Sequence, residues 1–154
     1  MKTQTNNKLV SAKNQVIAMV ILSALSLLLV MLDVCMELYL FSTGKSAKEF
    51  PAAFNYLHIG YATVELISII VVLVLTSTTY SIYKKNKKIN KWKNGMFITN
   101  WFFTCLYLVL SVVAIILLRI DTPPLIQAFL AGFSVLPFVV ITTISSIILT
   151  YIKE

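Results

Sequence analysis

The stretch VIAMVILSALSLLLVMLDVCMELYLF, residues 16–41, decides what kind of protein this is. It runs for 26 residues with only Asp33 and Glu37 charged. About 20 apolar residues at 1.5 Å rise cross the ~30 Å hydrocarbon core of a bilayer, so the stretch is long enough to span one. Three more runs of the same character follow at 60–80, 97–118 and 124–151. A helix that packs on a soluble core keeps a polar outer face, and these runs have none. The composition agrees: 58% of residues are hydrophobic and 12% charged, against about 25% charged in ordinary soluble domains.

We therefore expect one all-α domain, residues 1–154, of four transmembrane helices joined by an outer loop at 42–59 and an inner loop at 81–96. Short connections between consecutive spans favour antiparallel neighbours, which gives an up-down-up-down bundle. The first apolar run is too long for the ~7–15-residue core of a signal peptide and lacks a small-x-small cleavage site, so it should remain as an anchor. The polar residues ahead of it read as a frayed or interfacial lead-in.

The basic residues set the expected orientation. Lys2, Lys8, Lys13, Lys84, Lys85, Lys87, Lys88, Lys91, Lys93 and Lys153 lie at the two ends and in the second connection, whereas the other two connections carry only Lys45, Lys48 and Arg119. The positive-inside rule then puts both termini in the cytoplasm of a plasma-membrane protein. The lysine run from Lys84 to Lys93 would meet anionic headgroups of the inner leaflet, worth ~1 kcal/mol per lysine near the surface. Nucleic acid is the other reading of a net charge of +7, but these lysines flank spans rather than cover one folded face. The abundance of Lys, Asn and Ile is that of an AT-rich gene and suggests a bacterial source.

Inside the spans, polar and small residues recur at helical spacing. Span one offers Ser26, Asp33 and Glu37; span two, Tyr61, Glu65, Ser68, Thr76 and Thr79; span three, Asn100, Thr104, Tyr107 and Ser111; span four, Gln127, Ser134 and Ser145. At 100° per residue each set falls on one side of its helix. Such stripes mark the faces on which membrane helices meet, through close contact and interhelical hydrogen bonds. Pro137 interrupts span four, where it removes one backbone hydrogen bond and is expected to kink the helix.

Three of the six acidic residues, Asp33, Glu37 and Glu65, lie within spans, and an intramembrane carboxylate is by default a candidate functional site. Counting rise along each helix puts Asp33 ~12 Å, Glu37 ~6 Å and Glu65 ~8 Å below the outer surface, so the three can share one pocket with Asp33 deepest. By depth alone, Glu37 and Glu65 should be partly hydrated. Arg119, at the outer end of span three, is the one basic residue near that depth, and either serves as counter-ion or snorkels to the surface beside Asp121.

Catalytic motifs are missing. His58 is the sole histidine, and there is neither a phosphate-binding glycine loop nor a His-Glu-x-x-His zinc motif. Cys35 and Cys105 lack metal-binding spacing and lie at depths too different for a disulfide; both read as buried small side chains. No cofactor or metal is implied. The expected role is non-enzymatic: a binding, accessory, regulatory or self-protection component of a membrane system, with a membrane-protein partner or a second copy of itself. The alternative is a small oligomeric transporter or channel that uses the carboxylates for a cation or proton; an intramembrane enzyme ranks third.

Overall fold

The structure is a computed structural model that describes residues 2–44, 52–86, 89–119 and 124–153. The four apolar runs become four helices: α1 Lys2–Thr43, α2 Ala52–Lys85, α3 Lys91–Arg119 and α4 Pro124–Lys153. Each contains a segment long and apolar enough to cross a membrane, within Val10–Thr43, Ile59–Lys85, Lys91–Val113 and Gly132–Tyr151. Side chains such as Leu28, Val74, Val109 and Phe129 are more than half exposed, the outward-facing apolar surface of a protein made for lipid.

The helix ends follow local chemistry. Asn90 caps α3, its side-chain oxygen accepting the Lys93 N–H at 2.8 Å. Gly44 follows α1 at φ 66°, the left-handed conformation that closes helices, and its N–H reaches the Phe41 carbonyl at 3.3 Å. Pro124 opens α4, where its missing N–H costs nothing. The helices also outrun the apolar runs. α2 reaches Lys85 and α3 resumes at Lys91, so the inner connection is much shorter than 81–96.

Each helix packs on two neighbours, α1 on α2 and α4, and α3 on the same pair, which closes a ring. The buried positions recur at alternating steps of four and three residues. On α1 they are Ala12, Val16, Met19, Ser23, Ser26, Val30, Glu37 and Leu40, with half-buried Asp33 completing the series. α2 repeats the step through Glu65, Ile69, Val72, Thr76, Thr79 and Tyr83; α3 through Phe97, Asn100, Thr104 and Tyr107; and α4 through Phe138, Ile141, Ser145 and Ile148. This 3.5-residue period is the seam of left-handed coiled coils and four-helix bundles. It explains why the polar stripes and the apolar core lie on the same faces.

The seam divides into layers. One apolar cluster joins Ala12, Val16 and Met19 to Tyr83, Phe97 and Ile148. A second joins Val30, Ile69, Val72, Tyr107, Phe138 and Ile141. Between them Asn100, completely buried, donates through Nδ2 to Thr76 Oγ1 at 3.2 Å and to Ser145 Oγ at 3.4 Å, tying α3 to both α2 and α4.

Three expectations change. The N-terminal lead-in is helical from Lys2, and Ala12 within it is a core residue, because the seam on α1 continues ahead of Val16 in the cluster with Tyr83 and Ile148. Cys35 is exposed rather than buried, since it falls between the seam positions Asp33 and Glu37; Cys105 is half-buried, and both are free thiols. Tyr83, in the loop expected at 81–96, is helical and enclosed in the first cluster, because α2 runs on to Lys85.

Asn100→Ala removes both interhelical bonds and leaves a hole in a packed layer. Interhelical hydrogen bonds average about 0.6 kcal/mol each, so with the cavity the loss should be roughly 1–3 kcal/mol. Reversible unfolding in bicelles measures it, and an unchanged stability would refute the central role given to this layer.

Candidate acidic site within the bundle

The seam steps 65–69–72 on α2 and 100–104–107 on α3 bring Glu65 and Tyr107 face to face. Tyr107 donates its hydroxyl to Glu65 Oε2 at 2.8 Å. Its ring is held from the other side by Phe138 of α4, with ring centroids 4.3 Å apart and planes at 61°. That edge-to-face contact fixes the phenol so that its polar tip meets α2 while its body packs on α4. Ser111 returns to the Tyr107 carbonyl at 3.0 Å, which satisfies its hydroxyl along the same helix. The other carboxyl oxygen, Glu65 Oε1, is buried with no hydrogen-bond partner among the described residues.

Asp33 stands within electrostatic range of both Glu65 and Tyr107. Glu37, one turn along α1, is on the same inward seam. Burial reverses the order expected from depth: Glu37 is 5% exposed and Glu65 7%, while Asp33 is half-buried. The reason is rotational. Depth along a helix measures distance from the membrane surface, whereas enclosure depends on the angle at which a side chain meets the neighbouring helices.

The remaining candidates separate. Ser26, Ser68 and Thr104 are buried; Tyr61, Ser111 and Ser134 are half-buried. Ser26 Oγ has no hydrogen-bond partner among the described residues, and Thr104 returns its hydroxyl to the Asn100 carbonyl at 2.7 Å. Pro137 is buried within α4 beside Phe138. The side chains of Arg119 and Gln127 and the whole of Lys87 and Lys88 lie outside the described residues, so the counter-ion role expected of Arg119 is left open. Among the described residues no group of three His, Cys, Asp or Glu side chains could hold a metal ion.

The lysines do not act alike. Lys85 and Lys91 are exposed, and Lys84 places its Nζ 5.5 Å from the centroid of the Tyr80 ring. Lys93 instead leans across the surface onto α4, with Nζ 3.4 Å from the Tyr151 carbonyl and 6.0 Å from its ring centroid. A cation there complements the negative end of the α4 dipole.

Two contacts were not foreseen in the sequence. The Glu65–Tyr107 pair joins two stripes that were read separately. Gln15, assigned to the lead-in, accepts from Thr79 Oγ1 at 2.9 Å and Thr78 Oγ1 at 3.3 Å and ties α1 to α2. Its spacing of four before Met19 was the available signal.

Tyr107→Phe keeps the ring against Phe138 but leaves Glu65 without its donor. Leaving a buried polar group unsatisfied costs about 1–3 kcal/mol. A double-mutant cycle with Glu65→Met, which cannot accept the bond, should give a coupling of roughly 0.6–1.7 kcal/mol, and additive losses would mean that the bond contributes nothing. Comparison with protein-family models, curated proteins and solved structures finds no match to this chain.

Proposed function

We propose that this chain is a multi-pass plasma-membrane protein that acts by binding rather than by catalysis or conduction, as an accessory, regulatory or self-protection component of a membrane system. The observation that carries this reading is the packed layer of Val30, Ile69, Val72, Phe138 and Ile141, each 2% exposed or less. Between the Glu65–Tyr107 pair and the Asn100 layer it fills the bundle with apolar side chains from α1, α2 and α4, while α3 adds Thr104, whose hydroxyl is taken up by the Asn100 carbonyl. Such a plug supports a rigid scaffold that presents a carboxylate site, and it weighs against a wetted path through the bundle. The partner is a membrane protein, or a second copy of this chain, whose cationic or hydrogen-bond-donating group meets the half-buried Asp33, with the enclosed Glu65–Tyr107 pair behind it.

The proposed topology is up-down-up-down with both termini and the α2–α3 connection in the cytoplasm. Two facts support it: the lysine asymmetry, and a shared cluster of residues from the start of α1, the end of α2, the start of α3 and the end of α4. In chains with Cys35 and Cys105 replaced, Lys91→Cys should react with an impermeant maleimide only after the membrane is opened, and Lys45→Cys in intact cells. The reverse pattern refutes this orientation.

The alternative, a transporter coupled to a cation or proton, is favoured by the one carboxyl oxygen of Glu65 that lacks a hydrogen bond among the described residues. Affinity purification in mild detergent and proteoliposome flux separate the two. Binding predicts a co-purifying membrane protein that is lost with Asp33→Asn and Glu65→Gln, and no proton or cation flux. Flux that Asp33→Asn abolishes, in a protein that still folds, would overturn it.

A further inference from the structure

Among the described residues, the contact between α2 and α3 is the least extensive of the four around the ring. On its outer side lies a groove of about 260 Å³ lined by Thr76, Ser77, Tyr80, Phe97, Ile98 and Trp101. Trp101 and Ile98 are half or more exposed, so the groove opens sideways toward the hydrocarbon of the bilayer. One end is crossed by a bond from the Tyr80 hydroxyl to Asn94 Oδ1 at 2.8 Å, which joins the two helices. The Lys84 Nζ stands 5.5 Å from the centroid of that same Tyr80 ring.

We propose that this groove seats one acyl chain of an anionic phospholipid, with Lys84 holding the headgroup. The inference rests on the inner-leaflet placement of the lysine loop proposed above and adds a defined site to it. Shape and charge select the occupant together. The walls are mainly apolar; the Thr76 and Ser77 hydroxyls return to the Val72 and Leu73 carbonyls at 2.7 and 2.9 Å, so neither asks for a polar ligand. The volume falls below the ~300 Å³ at which drug-sized sites begin, and a partner helix ~10 Å across does not enter a slot of this size. A segment of a single hydrocarbon chain does, with the rest of that chain in the bilayer. A cation beside the closed end then favours a chain that carries a negative headgroup over one that is zwitterionic.

Native mass spectrometry of the full chain, with dioleoyl phosphatidylglycerol and dioleoyl phosphatidylcholine offered in equal amounts, tests this. One phosphatidylglycerol should be retained in preference. Ser77→Phe and Ile98→Trp fill the slot from opposite helices and should each lower that retention about tenfold, in protein whose helicity and monodispersity are unchanged. Lys84→Gln should weaken it about fivefold, the effect of one interfacial lysine, while Lys91→Gln has little effect. Two results overturn the site but leave a diffuse attraction between the lysines and the headgroups: retention unchanged by either slot-filling variant, or equal losses with Lys84→Gln and Lys91→Gln. Equal retention of both lipids by the unaltered chain overturns the site and the proposed headgroup contact together.

Discussion

Apolar side chains gain almost nothing by leaving lipid tails for the interior of a helix bundle, so this fold rests on shape and on hydrogen bonds between helices. Asn100 is where that constraint is met most directly. Fully enclosed, it reaches Thr76 on α2 and Ser145 on α4, while Thr104 Oγ1 donates to its carbonyl one turn along α3. Around it the 3.5-residue seam lets small residues such as Ser23 and Ser145 stand beside larger ones such as Met19 and Phe138, the alternation that brings helices close. Polar residues are thus not interruptions of an apolar core. They are spaced with it, on the same faces, and they specify which helices meet.

The acidic site is a consequence of the same seam. Asp33, Glu37 and Glu65 are inward because their positions continue the steps of four and three that bury Val30, Leu40, Ile69 and Val72. Tyr107 is the residue that turns a carboxylate at a seam position into an organised group, since Phe138 holds its ring and Glu65 accepts its hydroxyl. A site built this way is preorganised by packing, whereas its chemistry depends on a single phenol. Beneath it the apolar layer separates the carboxylates from the Asn100 network, so the two polar regions of the bundle are distinct in location and in role.

The bundle is also uneven around its circumference. α1 is held by both of its neighbours, including the Gln15 bridge to Thr78 and Thr79, whereas α2 and α3, joined inside by Thr76 and Asn100, leave an open groove beside Trp101 that the Tyr80–Asn94 bond crosses at one end. In the proposed reading, lipid fills this opening and the lysine at its closed end selects the headgroup. The lysines next to this connection differ in their contacts: Lys93 meets the Tyr151 carbonyl near the end of α4, and Lys84 stands over the Tyr80 ring.

Amino-acid order alone determined the number of spans, their approximate limits and the residues of the polar stripes, because a helix in hydrocarbon must be long, apolar and internally hydrogen-bonded. The inward placement of Asn100, Thr104 and Thr76 was legible for a related reason: helical periodicity is a local property of each segment. Tertiary structure alone decided how deeply each acid is enclosed and what it touches. Counting rise along one helix made Asp33 the most sheltered carboxylate, yet Glu37 and Glu65 are more fully buried. Enclosure arises from the angle at which four helices face one another, and no single helix carries that information. The pairing of Glu65 with Tyr107, 42 positions apart, is of the same kind: each residue lay on a readable stripe, but only the packing of α2 against α3 set them 2.8 Å apart.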